Sequence, residues 1–337
     1  MSDAVKLTVS ASPHVRSADT TTGIMRDVII ALITAEIAAV IVFGWRALAV
    51  ILVSVASCVL AEYLSRKAMK RDNTIGDLSA VVTGLLLAYN MPANIPIWIV
   101  VFGSVVAIVV IKQMFGGIGQ NFVNPALGAR IILLSAFPNR MSAAAFVKAG
   151  MTQSLAHYDA VTSATPLGLV KLGSGVAEGA PSLMDLFLGT TTGCIGEVSA
   201  LALLIGGLYL IIRKVINPII PCVYIGTTFV VMLLAFHSFH DAMYEILAGG
   251  LFIGAIFMAT DYTTSPITNK GKVIYALCCA FITCIIRLFG SLPEGVSFSI
   301  LLMNIFVPYI EDGTAPIPFG TLKEKKSKKK EKEEAKA

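Results

Sequence analysis

The sequence predicts an all-α integral membrane protein with about ten transmembrane helices, arranged as two inverted five-helix repeats with broken helices. Of its 337 residues, 56% are hydrophobic and 14% are charged, whereas about 25% of the residues of a soluble domain are charged. The apolar runs are each close to the roughly 20 residues that cross about 30 Å of hydrocarbon. Two short stretches of the first half also recur in the second half, which indicates an internal repeat.

The chain begins with a polar segment, so we expect no signal peptide. The predicted spans are about 28–44, 47–64, 77–91, 97–112, 125–137, 195–212, 219–236, 242–260, 273–289 and 296–311. They divide the chain into five parts: an N-terminal segment (1–26), a first repeat (27–137), an extracytoplasmic loop (138–185), a second repeat (186–312) and a basic tail (313–337). The tail, with eight Lys and four Glu in residues 323–336, is expected to be disordered and to contact anionic membrane lipid.

The distribution of basic residues predicts the orientation. Ten spans place both termini on one side, and an inward N-terminus puts 20 of the 26 Lys and Arg residues in the cytoplasm. We therefore expect both termini to be cytoplasmic and the loop 138–185 to face outward. Most of the net charge of +5 comes from the tail, so a nucleic-acid partner has no support.

The repeat is visible in two pairs of stretches. Gly84–Met91 resembles Gly254–Asp261, 170 residues later, and Met114–Ile118 resembles Leu288–Leu292, 174 residues later. Because five spans per unit is an odd number, the two units must have opposite orientations. Channels and transporters with this architecture place their sites where helices break near the membrane midplane.

The first break follows the fourth predicted span. Gly116, Gly117 and Pro125 do not fit a regular lipid-facing helix, and irregular backbone at membrane depth must be buried in protein or line a cavity. The amides of Asn121 and Asn124 suit an uncharged heterocycle with several polar edges. The alternative is that the glycines only allow helices to pack closely.

Ionisable residues lie inside three predicted spans: Glu36, Glu62 and Arg130. Such residues are costly in a membrane, so they indicate either an ion path or a buried ion pair. The six Cys contain no C-x-x-C pair and are interpreted as packing residues. His237 and His240 have no third ligand beside them, so we expect no metal site.

The outward loop contains the stretch Asp159–Leu167, with sequence DAVTSATPL. Its Thr and Ser side chains offer hydroxyls, Ala164 leaves room around Thr165, and Pro166 favours an extended conformation for Thr165. On these residues alone, an ordinary turn is the simpler interpretation.

The whole pattern resembles a known family. Residues 159–165, 115–126 and 258–261 are similar to motifs of the D subunit of the Rnf complex, the ion-translocating ferredoxin:NAD oxidoreductase, and of the B subunit of the sodium-pumping NADH:quinone reductase. The likeness extends from about residue 20 to 315. One departure is Ser163, where glycine is frequent in the family. The resemblance implies a fold similar to that of urea channels.

The resemblance also implies cofactors. FMN would be joined through its phosphate to the Thr165 hydroxyl by a separate flavin transferase, and Asp159, Thr162, Ser163 and Ala164 would complete the attachment motif. No Lys, Arg or helix N-terminus that would hold a free phosphate is evident beside Thr165. A second, non-covalent flavin such as riboflavin would bind at the break that contains the residues Gly116, Gly117, Asn121 and Asn124.

The function implied is a translocase component. It would relay electrons through FMN to the other Rnf subunits, A, B, C, E and G, and couple electron transfer between ferredoxin and NAD to Na⁺ or H⁺ movement. The expected ion path includes Thr260, Asp261, Thr264 and Glu36. Two alternatives stay open: a channel or transporter for a small polar solute without a redox role, and a structural protein that anchors redox partners.

Overall fold

The computed structural model describes residues 19–141, 166–171, 175–176, 180–197, 199–290 and 295–316. The attachment motif 159–165 therefore lies outside the described residues, and so does most of the basic tail. These ranges include the first break, a second break at 259–266, which is the corresponding Pro-terminated stretch of the second half, and the end of the outward loop. They are sufficient to locate the other predicted site residues.

The described chain is almost entirely helical. The helices are α1 (Thr21–Phe43), α2 (Trp45–Ala68), α3 (Ser79–Tyr89), α4 (Ile97–Val105), α5 (Pro125–Ala136), α6 (Pro138–Met141), α7 (Leu183–Leu188), α8 (Ala200–Ile212), α9 (Ile219–Phe236), α10 (Phe239–Leu247), α11 (Leu251–Ile253), α12 (Asn269–Phe289) and α13 (Val296–Thr314). Helices α4 and α11 continue as π-helices: Val106–Gln113 and Gly254–Met258. Two 3₁₀ turns and an antiparallel pair of short strands complete the structure: Ile75–Asp77, Pro166–Leu169, β1 (Val170–Lys171) and β2 (Gly175–Val176).

Several helices have the length and composition of membrane spans. In the described part of the chain, four helices qualify: α2, α9, α12 and α13. Helix α10 and the α11 segment make a fifth span if the 64° bend between them is counted as a break within one span. Four shorter apolar helices contain 10–17 residues: α3, α4 with its π segment, α5 and α8. The chain is thus an all-α membrane protein in which many helices stop at breaks.

The helix bounds follow the sequence prediction closely in places. Helix α9 occupies the predicted range 219–236. Helix α8 begins at Ala200, five residues later than predicted, because residues 194–197 form a turn that is bonded to the end of α3. There Ile195 N–H donates to Met91 O at 2.9 Å and Gly196 N–H donates to Tyr89 O at 2.9 Å. These bonds satisfy the backbone groups that α3 leaves unpaired where it stops.

The two halves pack in similar ways and against each other. Helix α2 packs on α3 and α4, and α9 packs on α10 and α12. The halves meet where α1 contacts α8 and where α5 contacts α13. The core between them is apolar and includes fully buried side chains from both halves: Leu32, Leu87, Tyr89, Ile99, Tyr224 and Ile300.

Candidate functional site

A cavity of about 330 Å³ lies between α1, α3, the end of α8 and the two breaks. Its volume is at the lower end of the range for small-molecule sites, about 300–1,000 Å³. Its apolar walls include Leu86 and Phe257. The polar lining residues include Thr21, Ser79, Thr83, Lys112, Asn121, Asn124, Thr260, Asp261 and Thr263. The cavity therefore brings together polar side chains that are about 140 residues apart in the chain.

The glycines of the first break form its turn. Gly116, Gly117 and Gly119 have φ values of 126°, 104° and 85°, which favour glycine. Of the three, only Gly119 lines the cavity. A Cβ on Gly117 would lie 2.6 Å from the guanidinium of Arg66, so this glycine makes room for a basic side chain. The sequence thus located the break, but Gly116 and Gly117 shape the loop beside the cavity and do not line it.

The two predicted asparagines connect the breaks. Asn121 Nδ2 lies 3.4 Å from Thr263 Oγ1 of the second break. Asn124 Nδ2 lies 3.5 Å from Met258 O, while Asn124 Oδ1 accepts from the first backbone N–H groups of α5. Asn124 is therefore both an N-cap and a cavity residue. Both asparagines line the cavity, and their role in binding a ligand stays a prediction.

Asp261 carries the only carboxylate among the described residues that line this cavity. Its Oδ2 accepts from the hydroxyls of Thr263 and Thr264, each at 3.2 Å. Burial raises the pKa of the Asp261 carboxyl above its ordinary value, and the threonine hydrogen bonds oppose this rise. Thr260 also lines the cavity and donates to Ile256 O at 2.6 Å, whereas Thr264 is buried behind the lining.

Glu36 is separate from this group. It is partly buried on α1 and is not among the residues that line the cavity. The structure therefore brings together Thr260, Asp261 and Thr264 of the expected ion path and leaves Glu36 apart.

Glu62 belongs to a buried ion pair at the edge of the cavity. Its Oε2 lies 2.8 Å from Lys112 Nζ, and its Oε1 accepts from Thr74 Oγ1 at 2.8 Å and Gln113 Nε2 at 3.0 Å. The side chains of Glu62 and Lys112 are 0% and 3% exposed. Lys112 Nζ also donates to Ser79 Oγ at 2.6 Å. Of the two interpretations left open for Glu62, the structure shows the ion pair.

Arg130 forms a second buried pair between the halves. Its NH2 group lies 3.3 Å from Glu197 Oε1, and the two side chains are 8% and 4% exposed. Its NH1 group donates to Asn90 Oδ1 at 2.6 Å and to Ser297 Oγ at 2.9 Å. The guanidinium is thus held by the end of α3, the start of α13 and the segment before α8.

A small hollow lies at the opposite end of α8 from the cavity, and we call it the outer hollow. Its lining residues are Pro166, Leu167, Leu186, Thr191, Thr192, Gly193, Glu197, Leu247 and Gly249. Pro166 and Leu167 are buried in it and follow directly after the motif residue Thr165. A third buried pair, Arg287 with Glu245 at 3.2 Å, lies near this hollow.

Sequence reasoning did not identify Lys112, Glu197 or Asn90 as site residues. Lys112 lies at the end of an apolar run, where a basic residue is explained by membrane orientation alone. Glu197 falls at the edge of a predicted span. Its carboxylate is recognised as part of a site only once the structure shows its contact with Arg130. Asn90 directly precedes Met91-Pro92 at the end of α3. The helix end that this proline predicts was the local feature of the sequence that pointed to Asn90.

Together, the helices and these polar sites define an integral membrane protein of the all-α class, with a cavity and buried ion pairs built at helix breaks. Sequence comparison then identifies the family. The chain belongs to the NQR2, RnfD, RnfE family, whose profile matches residues 8–320, and the resemblance found in the sequence is confirmed.

Individual relatives match over nearly their whole lengths. The chain is 49% identical over 327 residues to the D subunit of the Na⁺-translocating ferredoxin:NAD⁺ oxidoreductase complex of Acetobacterium woodii, covering 96% of this chain and 99% of the relative. It is 42% identical to the D subunit of the proton-translocating ferredoxin:NAD⁺ oxidoreductase complex of Clostridium ljungdahlii, covering 93% and 96%. It is 37% identical to the D subunit of the ion-translocating oxidoreductase complex of Halorhodospira halophila, covering 92% and 94%.

Proposed function

We propose that this chain is the D subunit of an ion-translocating ferredoxin:NAD⁺ oxidoreductase of the Rnf type, working with the A, B, C, E and G subunits. It carries FMN on Thr165 and relays electrons while the complex moves Na⁺ or H⁺ across the membrane. The observation that carries this proposal is the end-to-end match to relatives of that name, at up to 49% identity among those described. Because relatives are named for both ions, the proposal includes both.

The outer hollow is compatible with a covalent FMN. Thr165 lies outside the described residues, but Pro166 anchors the chain next to it in the hollow. The hollow contributes threonine hydroxyls and apolar surface, and no Lys or Arg is among its described lining residues. A phosphate held without a covalent bond normally recruits such cations. A phosphoester on Thr165, made by a flavin transferase, would hold FMN at the hollow without a cationic side chain to bind its phosphate.

The cavity is compatible with a second, non-covalent flavin. Apolar side chains such as Leu86 and Phe257 offer surfaces for a ring, and Asn121, Thr260 and Asp261 offer groups for its polar edge and hydroxyls. A flavin bound there supplies one- and two-electron transfer. The residues of the chain would hold it, orient it and exclude water. The same cavity would place Asp261 and Thr260, the proposed ion ligands, beside the cofactor.

We further propose that the two halves are inverted five-helix repeats, giving ten spans and a fold similar to that of urea channels. The reciprocal contacts of α5 and α13 support this. Arg130 of α5 reaches Ser297 at the start of α13. Asn304 of α13 lies with its amide 3.2 Å from the backbone N of Asn124, at the start of α5. Such an exchange is what an approximate twofold axis between the halves produces.

Contacts at the helix ends support the proposed orientation. Asp27 near the start of α1 pairs with Arg213 after the end of α8, at 3.1 Å. Thr314 at the end of α13 contacts Thr268, near the part of the second break that lines the cavity. Both described ends of the chain are thus on the cavity side, which the basic residues assign to the cytoplasm. The outer hollow, at the start of α8, would then face outward with Thr165.

The decisive experiment is fluorescence of the denatured protein, produced with a flavin transferase and separated in a gel. We expect fluorescence from the wild type and none from Thr165→Val, because valine has no hydroxyl to carry the phosphoester. Thr152→Val is a matched control, since it removes a hydroxyl from the same loop outside the motif. It should keep the fluorescence of the wild type.

Two results would count against this proposal. Absence of fluorescence in the wild type, while the same transferase modifies another target, would remove the covalent flavin. The solute channel would then become the leading function. Fluorescence that persists in Thr165→Val would keep the flavin but place its attachment elsewhere.

A further inference from the structure

The cavity and the outer hollow lie at opposite ends of α8. Leu210, near the end of the helix, lines the cavity, and Glu197, just before its start, lines the outer hollow. With about 1.5 Å of rise per residue, the helix covers roughly 15 Å between its first residue, Ala200, and Leu210. A route for ions between the two sides of the chain would need to cross this short distance.

A chain of contacts that includes several polar side chains connects the cavity and the outer hollow. Asn124 lines the cavity and approaches Met258 O at 3.5 Å. Asn90 Nδ2 lies 3.7 Å from Met258 Sδ on the other side. Asn90 Oδ1 accepts from Arg130 NH1, and Arg130 NH2 pairs with Glu197, which lines the outer hollow. Polar side chains therefore follow one another from the outer hollow through Arg130 to Asn90, and Met258 connects Asn90 to Asn124 at the cavity.

The oxygens around Arg130 are those that a small hard cation would use. They are a carboxylate of Glu197, an amide oxygen of Asn90 and a hydroxyl of Ser297, and all three residues are buried. Carboxylate, carbonyl and hydroxyl oxygens are the preferred ligands of such ions. The guanidinium donates to each of these oxygens and keeps its charge at every physiological pH.

We propose that Arg130 acts as a tethered cation, which occupies the position between Asn90, Ser297 and Glu197 where a mobile cation would otherwise bind. It closes the path to Na⁺ and H⁺, so that the ion gradient is not lost through this chain. A fixed arginine is an established kind of barrier to cations in membrane pores. The proposal does not depend on any flavin, because it concerns the resting permeability of the chain.

The test is passive uptake of radioactive sodium by liposomes containing the full-length chain, driven by an imposed membrane potential. We expect Arg130→Ala to raise sodium uptake by at least about tenfold, because it frees three oxygens and opens space beside them. Chloride uptake should stay at the wild-type value, since Glu197 remains. Arg130→Lys keeps a tethered cation and should stay within about twofold of the wild type.

A matched control is available in the pair Arg287 with Glu245. Its arginine side chain is 1% exposed, and it lines neither the cavity nor the outer hollow. Arg287→Ala removes a similarly buried cation and should cause no sodium leak. Cys194 gives a second measurement, because its Sγ lies 3.9 Å from Arg130 NH2 in a buried position. A cationic thiol reagent should modify it in Arg130→Ala and not in the wild type.

Folding is checked by size-exclusion chromatography of each variant. If Arg130→Ala does not fold, Arg130→Gln replaces it, because glutamine keeps hydrogen-bond donors while removing the charge. The proposal is overturned if a folded, uncharged variant takes up sodium at the wild-type rate. It is also overturned if Arg287→Ala leaks as much as the Arg130 variant, since general loosening would then explain both.

Discussion

At the scale of single residues, buried charged side chains are held in ion pairs within the helical core. Glu62 and Lys112 are almost fully buried, and each is satisfied by the other and by polar neighbours. A buried pair adds little net stability, because desolvation offsets the attraction, but removing one partner leaves an uncompensated charge. Loss of either residue alone is therefore expected to destabilise the folded protein, whereas loss of both charges together is not.

The Glu62–Lys112 pair gives a prediction about stability. Lys112→Met should destabilise the protein by about 3–5 kcal/mol, because it strands the Glu62 carboxylate. The double variant Glu62→Gln/Lys112→Met should recover most of this loss. Thermal unfolding in detergent, followed with a thiol-reactive dye, measures both, since the dye reports exposure of the buried cysteines.

A pair with one exposed partner provides the control for this comparison. The Arg213 side chain is 53% exposed, whereas the Asp27 side chain is 9% exposed and also accepts from the Tyr209 hydroxyl, so Asp27 keeps a hydrogen bond when Arg213 is removed. Arg213→Met should therefore shift the unfolding temperature much less than Lys112→Met. Equal shifts for the two variants would show that burial of the Glu62 pair has no special energetic role.

Asp261 gives a prediction about coupling. Its carboxylate lines the cavity, and burial raises the pKa of this carboxyl, so a nearby cation would favour the ionised form. Asp261→Asn in the assembled complex should lower the number of ions moved per electron. The comparison is Thr263→Val, which removes one hydrogen bond to Asp261 but keeps its charge and should have a smaller effect. Normal ion transport by Asp261→Asn at normal electron flux would exclude Asp261 from the ion path.

At the scale of elements, small residues let the halves approach closely. A Cβ on Gly206 of α8 would lie 2.3 Å from Ala31 O of α1, too close without movement of the backbone. Thr34 Oγ1 of α1 donates to Ala202 O of α8 at 2.8 Å across the same contact. Close packing and a hydrogen bond between helices are typical ways of joining helices in membranes.

This contact predicts opposite effects for two glycines. Gly206→Ala should destabilise the protein by about 1–3 kcal/mol, because it forces α1 and α8 apart. Gly226→Ala on α9 should be neutral or stabilising by up to about 1 kcal/mol, because no atom lies within 4 Å of its added Cβ and alanine favours helix. Unfolding temperatures of the two variants test this, and a similar loss in both would contradict the packing argument.

Features that depend on neighbouring residues could be predicted from the sequence. Features that depend on contacts between residues far apart in the chain could not. Glycine and proline located the first break, and the hydrophobic run 219–236 located α9 without error. The late start of α8 was not predictable, because it depends on hydrogen bonds to the distant end of α3. Lys112 and Glu197 became site residues only through partners 50 and 67 residues away. The roles of Thr165 and the rest of its motif stay predictions.

At the scale of the whole molecule, the arrangement has two sides. One side contains the cavity, the start of α1 and the end of α13, and the other contains the outer hollow, where Pro166 is buried. Arg130 pairs with Glu197 at the edge of the outer hollow, where we propose that it closes the way between the two sides. Electron carriers and ions could thus be handled on both faces of one protein without a leak between them.

This arrangement predicts which residues are accessible from each side of the cell membrane. Met184, on α7 near the outer hollow, is 64% exposed, and Asn73 and Asp312 are exposed near the cavity side. Each is changed singly to Cys in a background carrying Cys222→Ser, because Cys222 is the native cysteine exposed in the structure. A membrane-impermeant maleimide should label Met184→Cys in intact cells. It should label Asn73→Cys and Asp312→Cys only after the membrane is opened, because the distribution of basic residues predicts that this side faces the cytoplasm. Labelling of Asp312→Cys and Asn73→Cys from opposite sides would disprove the inverted arrangement, since ten spans require an even number of crossings between each of these residues and the N-terminus.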